Sequence, residues 1–221
     1  MRALRRWHRR PVIAAGVLCA MLTACDVASG RSGAGEAGLL KPTTQPGATT
    51  RTGGLGSAAL AARDVDGFTV STSAGRREVQ LTQDACAPLA YALSGTVVGK
   101  PASTVVREVS GEGAMVTVVL AEYASGRAQS AMDAIATALD ECADGFTAAV
   151  DGDEHEVGKV APQLAPEGVD QAMGLGATVE HSGKKASTKA VILRAGDTVA
   201  YLSGTPSIPT AVVDAQIVKL G

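Results

Sequence analysis

Two cysteines, Cys86 and Cys142, fall on the apolar stripes of two helices that lie far apart in the chain. Nothing else in the sequence narrows the accessible folds as much. The second of these helices is the clearest element. Following Gly126, the residues Ala128, Met132, Ile135, Leu139 and Cys142 recur at spacings of 4, 3, 4 and 3. Gln129, Asp133, Thr137 and Asp140 occupy the rest of its circumference, so one face is apolar and the other polar. Gly145 ends it. The first helix is shorter and runs to about Leu93, with Asp84 placed to cap it and Cys86, Leu89, Ala90 and Leu93 on one face.

Whether those thiols are joined depends on the compartment, and the N-terminus bears on that. Arg2, Arg5, Arg6, Arg9 and Arg10 form a basic region without an acid, and an apolar run of 13 residues follows from Val12 to Ala24. A helix needs roughly 20 apolar residues to cross a bilayer, so this run is too short to span and has the length of a signal-peptide core. No second run of comparable length predicts a transmembrane helix. The run ends Leu22-Thr23-Ala24-Cys25, which resembles the lipobox of bacterial lipoproteins. That resemblance implies removal of residues 1–24 and a diacylglyceryl thioether, with palmitate-type chains, on Cys25. Each buried methylene contributes about 0.8 kcal/mol, and two acyl chains make a stable anchor. The expected location is the cell membrane, on its extracytoplasmic side.

Of the four cysteines, Cys19 leaves with the signal and Cys25 is lipidated. Cys86 and Cys142 remain as an even pair in an oxidising compartment, which predicts a disulfide between the two helices. With 55 residues between them, the bridge constrains the unfolded chain by roughly 4 kcal/mol. A redox or metal-ligating role for the pair finds neither a CxxC spacing nor partner ligands.

Cleavage also changes the charge. The chain has 20 basic and 22 acidic residues, and loss of five arginines leaves 15 against 22, near −7. Nucleic-acid affinity rests on Lys and Arg neutralising phosphates, so no nucleic-acid partner is expected. Aromatic residues are 3% of the chain, too few for a platform that stacks RNA bases or sugars. The expected partners are the membrane, through the anchor, and an unknown envelope ligand or protein. Residues 25–54 read as the lipidated Cys and a flexible linker of Gly, Ser, Thr, Ala and Pro. As a coil, the 29 residues after Cys25 span on the order of 30 Å.

Residues 55–221 read as one α+β domain: an antiparallel sheet of about five to seven strands with packed helices and one disulfide. A short helix is expected at Ser57–Arg63. Phe68–Thr72 and Glu78–Leu81 alternate as strands. Thr104–Val109 and Ala114–Tyr123 form a hairpin across Gly111-Glu112-Gly113, and Val116–Leu120 is apolar enough for a central strand. Phe146–Val150, Thr188–Arg194 and Thr198–Ser203 follow, with shorter runs at 154–160 and 177–180. Pro209 opens a last helix with Val213, Ile217 and Leu220 inward.

The order Asp66-Gly67-Phe68, Cys86 before Pro88-Leu89, a strand ending at Tyr123 and a helix closing on Cys142 resembles a known family. So do Val191-Ile192-Leu193-Arg194 and the Ala215–Leu220 ending. The resemblance is to PknH-type extracellular sensor domains of actinobacterial receptor kinases and related lipoproteins, over residues 57–221. It implies an α+β fold with an antiparallel sheet and a cleft suited to a ligand. Those sensors carry two disulfides, and this chain has cysteines for one. Without a kinase domain, no signalling output follows.

Candidate chemistry is sparse. No GxSxG, HExxH or P-loop pattern occurs, so no catalytic residue, cofactor or metal is assigned. Asp151-Gly152-Asp153-Glu154-His155-Glu156 offers carboxylates to a hard cation, but Asp-Gly between two strand-like runs reads first as a hairpin turn. His181-Ser182-Gly183-Lys184-Lys185 and Gly75-Arg76-Arg77 read as turn tips. Tyr91, Tyr123 and Tyr201 either line a cleft or sit at a core margin. The function expected is a non-catalytic ligand-binding or sensor-like lipoprotein. The alternatives are an envelope hydrolase built on His155 or His181, and a structural interaction module.

Overall fold

Period-two alternation of β-branched residues governs the middle and end of the chain, and it produces a single antiparallel sheet. The computed structural model describes residues 54–73 and 77–221. The predicted signal segment, Cys25 and nearly all of the linker lie outside the described residues. Ten strands form: β1 (Thr69–Thr72), β2 (Val79–Leu81), β3 (Ser103–Gly111), β4 (Ala114–Glu122) and β5 (Phe146–Val150), then β6 (Asp153–Val157), β7 (Ala161–Gln163), β8 (Gln171–His181), β9 (Lys184–Ala195) and β10 (Thr198–Thr205). Their order is β1-β3-β4-β10-β9-β8-β6-β5-β2, with β7 added to β8.

That exceeds the five to seven strands expected, for identifiable reasons. Gly174 and Gly176 interrupt the apolar alternation of β8, which therefore reads from sequence as the short run 177–180. β7 contains Pro162, which cannot donate to a ladder and so demotes a run in any reading of sequence. It survives in the structure because it pairs with β8 alone.

Among the described residues four helices cover the sheet on both faces: α1 (Gly54–Ala58), α2 (Ala87–Ser94), α3 (Arg127–Cys142) and α4 (Thr210–Leu220). Helices α2 and α3 pack with Val119, Ala121, Tyr123, Ile192 and Tyr201, whereas α1 and α4 pack with Val116, Val118, Leu120, Leu193 and Leu202. Strand β4 contributes to both cores, which explains why its residues from Ala114 to Ala121 are apolar apart from Thr117: a strand covered on both sides needs few polar residues. The Cys86–Cys142 disulfide joins the start of α2 to the end of α3 with Cα atoms 5.8 Å apart. It staples two helices, as their stripes predict.

Local hydrogen bonding accounts for the other departures. The helix expected at Ser57–Arg63 is α1 followed by a 3-10 turn at Ala62–Asp64. The Ala61 N–H donates to Asp64 Oδ2 at 2.8 Å, closing the chain on itself there. This bond, with Lys219 Nζ at 3.3 Å, holds the Asp64 carboxyl below its usual range despite its partial desolvation. Asp84 does not cap α2 but opens a 3-10 turn through Cys86, and α2 begins at Ala87 with Pro88 in its first turn. On α4 the buried face is Val212, Val213, Gln216 and Leu220, with Ile217 at its margin.

Candidate functional site

Where α2 ends, the chain must turn down onto the sheet, and Gly95 makes that turn. Its φ of +68° is one that side chains other than glycine's rarely adopt, and the Thr96 N–H closes the helix on Tyr91 O at 2.8 Å. A Cβ at Gly95 would lie 3.2 Å from the Cβ atoms of Thr117 and Ser203. Helix and sheet therefore meet closely here, and the Ser203 hydroxyl donates to Leu93 O. Beyond Gly95, Thr96 and Val97 descend beside the sheet and form one wall of a cleft.

The floor comes from alternate residues of two paired strands. Thr104, Val106 and Glu108 of β3 and Thr117 and Val119 of β4 face the same side. Ser73, just past β1, and Arg77 and Asp151 complete a cleft of about 430 Å³. A second hollow of about 310 Å³ shares Arg77, Thr96 and Val97 and continues past Glu78, Val79, Tyr91 and Gly99. Clefts of this size suit a small organic ligand. The Asp151 wall is held by a reciprocal pair: Asp151 N–H donates to Glu78 O at 2.8 Å, and Glu78 N–H donates to Asp151 Oδ1 at 2.9 Å.

The lining thus combines hydroxyls, two carboxylates and one guanidinium over a valine floor. One of the hydroxyls has no partner. Among the described residues, Thr96 Oγ1 and Gln216 Oε1 are the buried side-chain polar atoms without a hydrogen bond. Gln216 at least spends its amide on Ala58 O at 2.9 Å, tying α4 to α1. Thr96 is 8% exposed and sits in the cleft wall.

The residues singled out from sequence are distributed differently. Cys86 and Cys142 are joined at the start of α2, the end opposite Gly95, and Cys25 lies outside the described residues. Asp151-Gly152 is the two-residue turn of the β5–β6 hairpin, pairing Val150 with Asp153, as the turn reading has it. Arg77 is exposed and lines the cleft, while Gly75 and Arg76 lie outside the described residues. Tyr123 and Tyr201 do not line it. Their hydroxyls meet at 2.7 Å inside the core, with Tyr123 also donating to Val98 O. Burial, reinforced by Tyr123, pushes the Tyr201 phenol far above its usual range. Tyr91 alone of the three reaches the smaller hollow.

His155 and His181 stand outside the cleft, stacked on each other with ring centroids 4.5 Å apart. Burial, then the neighbouring His181 ring, lowers the His155 pKa. Ser182 Oγ lies 3.3 Å from His181 Nε2, but Nδ1 faces the Glu154 carbonyl rather than a carboxylate that could orient a catalytic base. Sequence reasoning missed Thr96, Glu108 and Thr117 as site residues, since ordinary Thr and Glu in strands and loops carry no signal of their own.

No family model and no curated protein matches this chain. Among solved structures it is similar to the extracellular domain of PknH from Mycobacterium tuberculosis. The TM-score is 0.52 at 13% sequence identity, over 75% of this chain and 91% of that one. It is also similar to a Rv0999 ortholog from Mycobacterium smegmatis, with a TM-score of 0.40 at 13% identity, over 70% of this chain and 90% of the other. The first likeness shows a shared fold, the one implied by the resemblance read from sequence.

Proposed function

We propose that the chain is a membrane-anchored extracytoplasmic lipoprotein whose domain, residues 55–221, binds a small polar envelope ligand without chemical turnover. The observation that carries this reading is the Thr96 hydroxyl. A buried hydroxyl without a partner costs about 1–3 kcal/mol; Thr96 lines the cleft while its hydroxyl is shielded from solvent, so a ligand recovers that cost once the Thr96 side chain turns to meet it. Ser73, Thr104 and Thr117 add hydroxyls that both donate and accept, and Arg77 against Glu108 and Asp151 places opposite charges on the rim. A ligand bearing hydroxyl or amide groups fits this lining better than an apolar one. The cleft lining holds no imidazole or thiol to activate a nucleophile, which favours binding over hydrolysis. The lipobox and the linker support an anchored domain free to sample the space near the membrane.

Two measurements test the reading separately. Intact mass of the membrane-extracted protein is expected to fit cleavage before Cys25 with acyl chains attached, and Cys25→Ser is expected to move the protein to the soluble fraction. An unlipidated wild type would end the anchoring half of the proposal. For the cleft, Thr96→Val keeps the shape and removes the hydroxyl. The variant, freed of ligand, should be more stable than wild type by about 1 kcal/mol in urea. In native mass spectrometry it should lose the adduct that wild type carries from the envelope. A variant less stable than wild type that retained the adduct would show that the hydroxyl serves the fold.

A further inference from the structure

Strand register brings together two side chains that are well apart in sequence. The β6–β8 ladder pairs Glu156 with Glu180 and Val157 with Val179, and the Gly158 N–H donates to Thr178 O at 2.9 Å. One position further along the same register sets His155 opposite His181. Counting back from the Gly158–Thr178 bond makes this a non-hydrogen-bonded position of the ladder, where opposed side chains come closest. The rings stack there with centroids 4.5 Å apart and planes 29° apart, both half-buried. Val157, on the same strand face, lies in the core, so the stack stands at that core's margin. Among the described residues β6 shares only those two ladder pairs with β8, while β5 and β2 hang from β6. The β5–β6 turn carries Asp151 to the cleft wall.

We propose that the stacked histidines are a pH-sensitive joint between β6 and β8, closed while the rings are neutral and loosened by acid, and that it regulates the cleft through the β5–β6 hairpin. The regulation rests on the cleft being a binding site; the joint does not. Neutral imidazoles stack without penalty, whereas two imidazolium rings in contact repel. His181 has acceptors for ring protons, with the Glu154 carbonyl 3.1 Å from Nδ1 and Ser182 Oγ 3.3 Å from Nε2. His155 has none among the described residues. Of the charged groups acting on His155, Asp153 on its own strand favours a proton and Arg77 opposes one. Ala148, opposite on β5, is uncharged, and Lys184, opposite His181 on β9, adds positive charge. Glu154 and Glu156 take the other strand face, and Glu180 is engaged by Lys185 at 3.5 Å. Burial, then the His181 ring, holds His155 below its ordinary value. The unfolded or opened chain therefore takes the proton more readily. The joint's stability is complete above about pH 6.5 and is lost as the pH falls through the lower folded value. Arg77 couples the two places, since it lines the cleft and also opposes charge on His155.

Hydrogen exchange of the membrane-purified protein in detergent, freed of ligand, tests the joint at about pH 7.5 and about pH 5, with rates corrected for intrinsic pH dependence. The Gly158 amide, which donates across the joint, and the Asp151 amide, which donates to Glu78 O, are expected to lose protection in acid. The loss should be on the order of tenfold, with amides of the β4–β10 ladder unchanged. His155→Phe keeps a ring in the stack and removes its titration, so protection should then be the same at both pH values. In the wild type, proton resonances of both rings should titrate as a coupled pair, a readout that needs no variant to fold. Equal protection of Gly158 at the two pH values would overturn the joint. Loss at Gly158 with none at Asp151 would overturn its reach to the cleft. Because no ligand is present, these outcomes do not depend on what the cleft binds, which the adduct measurement above decides.

Discussion

Replacing Cys86 and Cys142 together by serine is expected to lower the unfolding free energy by roughly 4 kcal/mol. The bridge closes a loop with a sequence separation of 56 residues. In the chain-entropy account its effect lies in the unfolded state, which loses conformations when the ends of so long a loop are tied. Domains of this size are stable by only about 5–15 kcal/mol, so the loss is a large fraction of the total. It also has a local target. The bridge fixes the start of α2, and the end of α2 delivers Gly95, Thr96 and Val97 to the cleft. Ligand binding should therefore weaken in the double variant even below its unfolding transition. Urea denaturation of wild type with and without reductant measures the first effect. Identical midpoints in the two conditions would mean that the bridge constrains nothing, and the compartment argument would fall with it.

Helices α2 and α3, which the bridge ties together, were legible because their stripes repeat at the helical period and are followed by glycine. The β3–β4 hairpin and the Asp151-Gly152 turn were legible for similar local reasons. The cleft was not. Ser73, Arg77, Thr96, Glu108 and Asp151 come from separate segments, and each is an ordinary polar residue where it stands. The sheet order puts β1 and β2 at opposite edges, yet Ser73, Arg77 and Asp151 line one cleft, so their common space follows from tertiary pairing and not from local pattern. The histidine pair was hidden in the same way. Period-two alternation fixes which face a strand residue takes, but not its partner on the next strand. His155 faces His181 only because β6 pairs with β8 in the register of Val157 and Val179. Gln216 was missed because a polar residue within an apolar stripe reads as the edge of that stripe. Its amide instead reaches Ala58 O from a fully buried position.

The second large effect is expected at Gly145, the residue that ends α3. Its φ is +118°, a region closed to residues with a Cβ, and its N–H donates to Cys142 O at 3.2 Å. A Cβ added there would lie 2.6 Å from Val157 O and 3.3 Å from the Gly158 carbonyl carbon. Both contacts are backbone, so no side chain can swing aside to relieve them. Gly145→Ala therefore meets two independent penalties. Forcing a non-glycine residue into such a region costs about 1–3 kcal/mol, and the clash must displace either the end of α3 or strand β6. Displacing β6 would disturb Phe146 against Val157, the first pair of the β5–β6 ladder, and with it the hairpin that carries Asp151 to the cleft. Together the expected loss is about 3 kcal/mol or more. Gly56→Ala is the control, since that residue lies within α1 with no atom within 4 Å of the added Cβ. There alanine should be neutral or stabilise by about 0.5–1 kcal/mol. Chemical denaturation of both variants decides the matter: if they unfold at the same denaturant concentration, the close approach of β6 to the end of α3 is not the constraint described.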